Sequence, residues 1–249
     1  MASSSAPRSA YAAPRNDDDI EKGAMMNEFA DAIVRRGFVR KVFGLLAVQL
    51  LVTVSIGAAI FSSPALKVFC LTSAIPVLGS LLLSFVPLIY MSVSEKARQE
   101  YPTNLMLMGC FTIGEGTLVG IATANYNTDI VLLALGITSV VTAALTVYAL
   151  TTKTDFTGIG PYMYICLLTL ITAGFVGMFV RTPLMNLGIG MAGAAIFGVY
   201  IVYDVQILMG GHHKFRLSPD EYVFAAINIY LDIINLFLYI LRILNSRDN

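Results

Sequence analysis

Three carboxylates stand inside apolar runs of this chain: Glu115 between Gly114 and Gly116, Asp204 in Tyr203-Asp204-Val205-Gln206, and Asp232 in Leu231-Asp232-Ile233-Ile234. An ionisable group at membrane depth costs ~2.5–3.5 kcal/mol even on insertion scales, so each is expected to face a bundle interior, a water cavity or a partner charge. Asp232 has polar company. If its stretch is helical, Asn228, Asp232, Asn235 and Tyr239 share one face while Ile, Leu and Phe cover the rest. Asp204 follows Tyr203 one segment earlier, and two aspartates on consecutive helices invite pairing. Two carboxyl groups close together can share one proton, and once ionised they offer the oxygen ligands that suit Ca²⁺. That chemistry is a proton switch coupled to weak, transient calcium binding at Asp204 and Asp232. Depth stands against the pairing: at ~1.5 Å per residue Asp204 lies ~9 Å from Gly210 and Asp232 ~16 Å from Glu221. The two meet only if the sixth segment continues past Gly210 or the seventh enters from below the surface. Glu115 reads either as hydrogen-bonded glue, its glycines admitting another backbone closely, or as part of a cation pathway.

Other residue types carry less. Cys70, Cys110 and Cys166 each sit alone in apolar surroundings, with no disulfide or zinc spacing. Thr138, Thr142 and Thr146 on one segment, and Gln49 with Thr53 on another, are expected to serve interhelical packing. The glycines Gly188, Gly190, Gly193 and Gly198 imply a tightly packed helix and not a phosphate loop. His212 and His213 read as a solvated pair. Paired aspartates on adjacent apolar helices also suggest an intramembrane aspartyl protease, but such enzymes place Gly-x-Gly before the second aspartate, where this chain has Ile229-Tyr230-Leu231. No catalytic residue, and no enzyme, is expected. No resident cofactor is expected either.

The elements that must position these groups follow from composition. With 57% hydrophobic and 13% charged residues, the chain is an integral membrane protein, and its zero net charge gives no reason to expect nucleic acid. Seven apolar segments of about 20 residues can be counted, at 39–61, 68–93, 104–124, 130–151, 162–180, 184–209 and 222–241. The breaks between them hold Ser62-Ser63-Pro64, Tyr101-Pro102, Asn125-Tyr126-Asn127, Gly158-Ile159-Gly160-Pro161 and Thr182-Pro183. Pro76 and Pro87 are expected to kink the second segment. Residues 1–34 read as a cytosolic tail, disordered to about residue 24 and then interfacial through Met25, Met26, Phe29 and Ile33. Residues 35–244 form the membrane domain, and 245–249 a short tail. No signal peptide is read. A cytosolic N-terminus collects twelve of the sixteen Lys and Arg on its side. If the last segment re-enters instead of spanning, two more join them, so the charge rule mildly favours re-entry.

Ser218-Pro219-Asp220-Glu221-Tyr222 with Leu231-Asp232-Ile233-Ile234-Asn235-Leu236-Phe237 resembles the signature of the transmembrane Bax-inhibitor-motif proteins, lifeguard branch. So do Gly37-Phe38-Val39-Arg40-Lys41 and Ile201-Val202-Tyr203-Asp204. The resemblance implies an all-α fold, a seven-helix bundle around a central last helix that spans or re-enters. It also implies that Asp204 and Asp232 form a pH-sensing pair gating a calcium leak. Asn228, Asn235, Tyr203, Tyr239 and Glu115 are then supporting polar or pathway residues. The family implies residence in endomembranes, endoplasmic reticulum or Golgi, and suppression of programmed cell death, with lipid, calcium ions and Bcl-family or other cell-death regulators as partners. Bacterial relatives carry arginines at the end of the second helix that contact the aspartates. Here that end reads Ser94-Glu95-Lys96-Ala97-Arg98, leaving Lys96 or Arg98 as the basic latch.

Overall fold

The computed structural model describes residues 17–180, 182–210 and 218–246, with side chains from residue 33 onward. Among the described residues there are nine α-helices and no strand: α1 (Asp17–Ser62), α2 (Pro64–Thr72), α3 (Ala74–Val93), α4 (Glu95–Gln99), α5 (Thr103–Thr123), α6 (Thr128–Thr151), α7 (Gly160–Phe179), α8 (Pro183–Met209) and α9 (Tyr222–Asn245). Seven of them, all but α2 and α4, are long and apolar enough to cross a membrane. The protein is an all-α, multi-pass membrane protein.

The helix ends fall where the side chains can satisfy them. Ser63 and Thr182 accept from Leu66 N and Met185 N, each followed by a proline whose missing N–H costs nothing in a first turn. Asn127 caps α6 ahead of Asp129. Gly210, at φ +60°, stops α8 in a conformation that L side chains avoid. The second apolar segment departs from expectation. It is not one kinked helix but two, because Ser73 closes α2 through its N–H to Phe69 O (3.0 Å) and caps α3 through its hydroxyl to Ile75 N (3.2 Å). Pro76 then falls in the first turn of α3, where it is harmless, and only Pro87 lies inside the helix. Residues 17–24, expected to be disordered, are helical and run without a break into the first span. Extending an existing helix needs no new nucleus, and the three aspartates at 17–19 suit its positive end. The remainder of the expected disordered tail lies outside the described residues, as do His212, His213, Lys214 and Arg216.

The bundle is built around α9. Two thirds (67%) of its most apolar stretch is buried, against 11–39% for the other six spans. The outer helices turn large apolar side chains outward, such as Ile75, Leu82, Val140 and Phe179, as a lipid-facing surface requires. Small residues let the helices close. A Cβ on Gly114 of α5 would stand 2.6 Å from Ser84 N of α3, and one on Gly116 would stand 3.2 Å from Thr53 Cα of α1. On α8, Gly190 and Gly193 lie against Ile243 and Tyr239 of α9. α9 is unbroken over 24 residues, ~36 Å, so it has the length of a full span.

Candidate functional site

α8 and α9 run antiparallel, and their contact brings Asp204 and Asp232 within hydrogen-bonding reach of each other. Neither expected route to the pairing holds: α8 stops at Gly210, and α9 does not enter from below but begins beyond the end of α8. Measured from the meeting point, α9 extends ~15 Å back to Tyr222 and α8 only ~9 Å on to Gly210, leaving the first turn of α9 overhanging. The overhang is covered. Lys41 of α1 lies 4.1 Å above the Tyr222 ring, and Arg98 lies 5.5 Å from the Phe224 ring centre. Asp232 is 5% exposed, and its Oδ2 is buried without a hydrogen-bond partner. Asp204 is half-buried, which makes it the more accessible of the two.

The polar stripe of α9 follows the helix as expected, but its members differ in surroundings. Asn228 is half-buried on the turn before Asp232. Asn235 donates to Leu231 O of its own helix (2.8 Å), and Tyr239 stacks on Phe197 of α8 at 5.7 Å. Phe197 meets Tyr200 at 5.8 Å and Tyr200 meets Tyr203 at 6.4 Å, so an aromatic column runs along α8 past the aspartates. Tyr203 points away to the start of α7, where a Cβ on Gly160 would stand 2.7 Å from its hydroxyl. Tyr200, within electrostatic range of both carboxylates, is the member that sequence reasoning missed. The signal was there: Tyr200 stands one helical turn before Asp204, on the same face.

The opposite face of α9 holds a second buried polar cluster. Tyr230, fully buried, shares a 2.7 Å hydrogen bond with Thr53 of α1, whose hydroxyl also reaches Gln49 O at 3.0 Å. Gln49 donates in turn to Thr112 of α5 at 3.1 Å, and Phe111 packs edge-on to Tyr230 at 5.8 Å. Gln49 and Thr53 are therefore interhelical packing residues, as their spacing suggests. Thr138 also bonds within its helix, to Ala134 O at 2.7 Å, while the Thr142 hydroxyl is buried without a partner. Glu115 lies on this side, half-buried and within electrostatic range of Tyr230. Its glycines do admit neighbouring backbones, yet among the described residues its carboxylate has no hydrogen-bond or ion-pair partner.

The candidate latch residues stand elsewhere than on the aspartates. Lys96 makes an exposed 3.5 Å pair with Glu100, the residue that follows its helix. Arg98 is held by Glu221 at 2.8 Å and donates to Met91 O and Ser92 O at 3.0 and 3.2 Å. It thus ties the end of α3 to the start of α9. Among the described residues no three His, Cys, Asp or Glu side chains gather as a metal site, so two carboxylates are what the bundle interior offers a calcium ion. Such a pair suits passing contact better than retention.

A family model, Bax1-I, described as inhibitor of apoptosis-promoting Bax1, matches residues 35–249. The chain is also similar to the Golgi anti-apoptotic protein of vaccinia virus in the strains Lister, LC16m0 and LC16m8. Each is 34% identical over 232 residues, covering 93% of this chain and 94% of the relative.

Proposed function

Because the chain belongs to the Bax inhibitor family, we propose that it is a pH-gated calcium leak channel of an endomembrane, which lowers stored calcium and so suppresses programmed cell death. The carrying observation is the Asp204–Asp232 pair, two carboxylates brought together inside the bundle at the contact of α8 with its central helix. In acid one proton joins the pair and the helices stay closed. Its loss leaves two like charges that part α8 from α9 and present oxygens to Ca²⁺. Asn228, Asn235 and Tyr239 then line or flank the path, Glu115 acts on the permeating cation from the other side of α9, and Tyr200 stands beside the switch. The Golgi assignment and the anti-apoptotic role come by similarity to the viral relative, and the N-terminus is cytosolic by the charge rule.

The protein is not a protease on this reading. Bulky Ile229-Tyr230-Leu231 precedes Asp232, where such enzymes have the Gly-x-Gly that lets a substrate backbone approach. Calcium efflux from liposomes containing only this protein, measured at acidic and neutral external pH, tests the proposal. Efflux that rises toward neutral pH is the expected result. The absence of any efflux would remove the channel and leave a cell-death regulator acting through protein contacts.

A further inference from the structure

At the end of the bundle away from Arg98, the last turns of α9 line a recess of about 450 Å³ with Asn186 of α8 and Tyr126 of the α5–α6 turn. Its polar groups are Tyr126, Asn186, Asn235, Tyr239, Arg242, Asn245 and Ser246, and among the described residues no acidic side chain lines it and Arg242 is the one charged group. Its Nη2 donates to Asn186 Oδ1 at 2.8 Å, and among the described residues it has no carboxylate partner. A guanidinium carries five donors in a fixed fork that matches planar or tetrahedral oxyanions.

The arginine is not simply capping its own helix. Ser246 takes the Arg242 carbonyl with both its hydroxyl (2.8 Å) and its N–H (3.1 Å), while the Arg242 side chain reaches across to α8. That same bond fixes the Asn186 amide, so its NH₂ is turned away from Arg242 and available as a second donor. Tyr239 also lines the wall. Asn235 adds little as a donor, since its NH₂ is held by Leu231 O. A half-buried cation with neutral donors around it and no counter-charge among the described residues is a site for an anion.

We propose that this recess binds a phosphate-class oxyanion, with Arg242 as its charged ligand and Asn186 as a positioning donor. The site stands on this geometry alone and does not depend on calcium conduction. The oxyanion could be free or carried on a lipid head group, and the experiment separates the two. The purified full chain is melted in maltoside micelles against sodium phosphate, with sodium chloride holding ionic strength constant, and again in phosphatidylcholine nanodiscs with and without phosphatidic acid. At ten times Kd a site of this kind raises the melting temperature by roughly 3–5 °C. Arg242→Gln should abolish the rise. Asn186→Asp should abolish it too, by setting a built-in carboxylate on Arg242, and should itself melt higher than the wild type without phosphate. A rise with inorganic phosphate assigns a free anion; one confined to phosphatidic acid discs assigns a lipid head group. If neither ligand shifts the wild type, or if the shift survives in Asn186→Asp, the proposal is overturned even where Arg242→Gln fails to fold.

Discussion

Replacing either member of the aspartate pair by asparagine tests the switch at its origin. An amide cannot lose a proton in this range, and its NH₂ can donate to the carboxylate that remains, so Asp204→Asn and Asp232→Asn each keep the closed contact at every pH. The size of the expected effect follows from what the wild type undergoes. Two unit charges ~4 Å apart at an effective dielectric near 20 repel by ~4 kcal/mol, and each ~1.4 kcal/mol is tenfold in an equilibrium. Deprotonation can thus shift the closed–open balance by up to ~10³, more than enough to read in flux. The assay is calcium efflux from liposomes reconstituted with equal amounts of folded protein, at a series of pH values from acidic to neutral. Wild type should rise toward neutral pH, and both single variants should stay low and flat. Because Asp232 is the more buried and has an unpartnered oxygen, its amide is the harder to place, so Asp232→Asn should lose more thermal stability than Asp204→Asn. Wild-type efflux that grows on acidification would refute the sign. Single variants that keep the full pH profile would refute the pair as the sensor.

Glu115→Gln should fold normally and lower calcium efflux severalfold, since its carboxylate has no partner in the described structure to serve as glue; unchanged efflux would make it structural. Arg98→Ala and Glu221→Ala should each lower the melting temperature by several degrees, about 1–3 kcal/mol, because each leaves the other charge partly buried and unpaired. The double variant should cost less than the sum of the two, and a strictly additive cycle would show that the 2.8 Å contact carries no coupling. Gly114→Val should prevent the close approach of α5 to α3, where even a Cβ would meet backbone atoms at 2.6–2.9 Å, and should show as poor yield of folded protein in size-exclusion chromatography. Cysteines introduced beside Lys96 and Lys153 in sealed vesicles should label from the cytosolic face; labelling of the 153 loop from the luminal face alone would invert the topology.

The seven spans were legible because Ser, Asn, Pro and Gly punctuate them chemically, and a capping serine or a helix-stopping glycine reads the same in lipid as in water. The Ser73 break escaped for the same reason it exists: a lone serine between apolar runs looks like a tolerated helix residue until its hydroxyl is seen on Ile75 N. The polar stripe of α9 was legible from period alone. What period could not rank was burial, since in an apolar chain the lipid-facing and core-facing residues are alike. Tyr230 is the case in point. It stands two residues before Asp232, on the other side of the helix, and only the position of Thr53 on α1 turns it from an aromatic filler into a hydrogen-bonding group. Arg98 was placed at the right end of the bundle and given the wrong expected partner, because Glu221 lies 123 residues away and the chain itself does not say how α4 folds back.

These contacts also bear on which helix moves when the aspartates part. α9 is anchored on three sides that do not involve α8: Tyr230 to Thr53 of α1, Glu221 to Arg98 of α4, and Phe111 of α5 against the Tyr230 ring. Apart from the aspartates, α8 meets α9 through glycines, which grip by shape, and through one polar bond at its far end, Arg242 to Asn186 at 2.8 Å; at the aspartate end it stops in Gly210. Its polar tie at that end is not to α9. Gln206, fully buried, accepts from Phe156 N at 2.7 Å and donates to Thr154 O at 2.9 Å, binding the end of α8 to the loop between α6 and α7. Charge repulsion at Asp204 and Asp232 acts equally on both helices, but the helix with fewer bonds to break is the one displaced. In the proposed switch α8 therefore swings away with the α6–α7 loop it holds, and α9 stays as the fixed post.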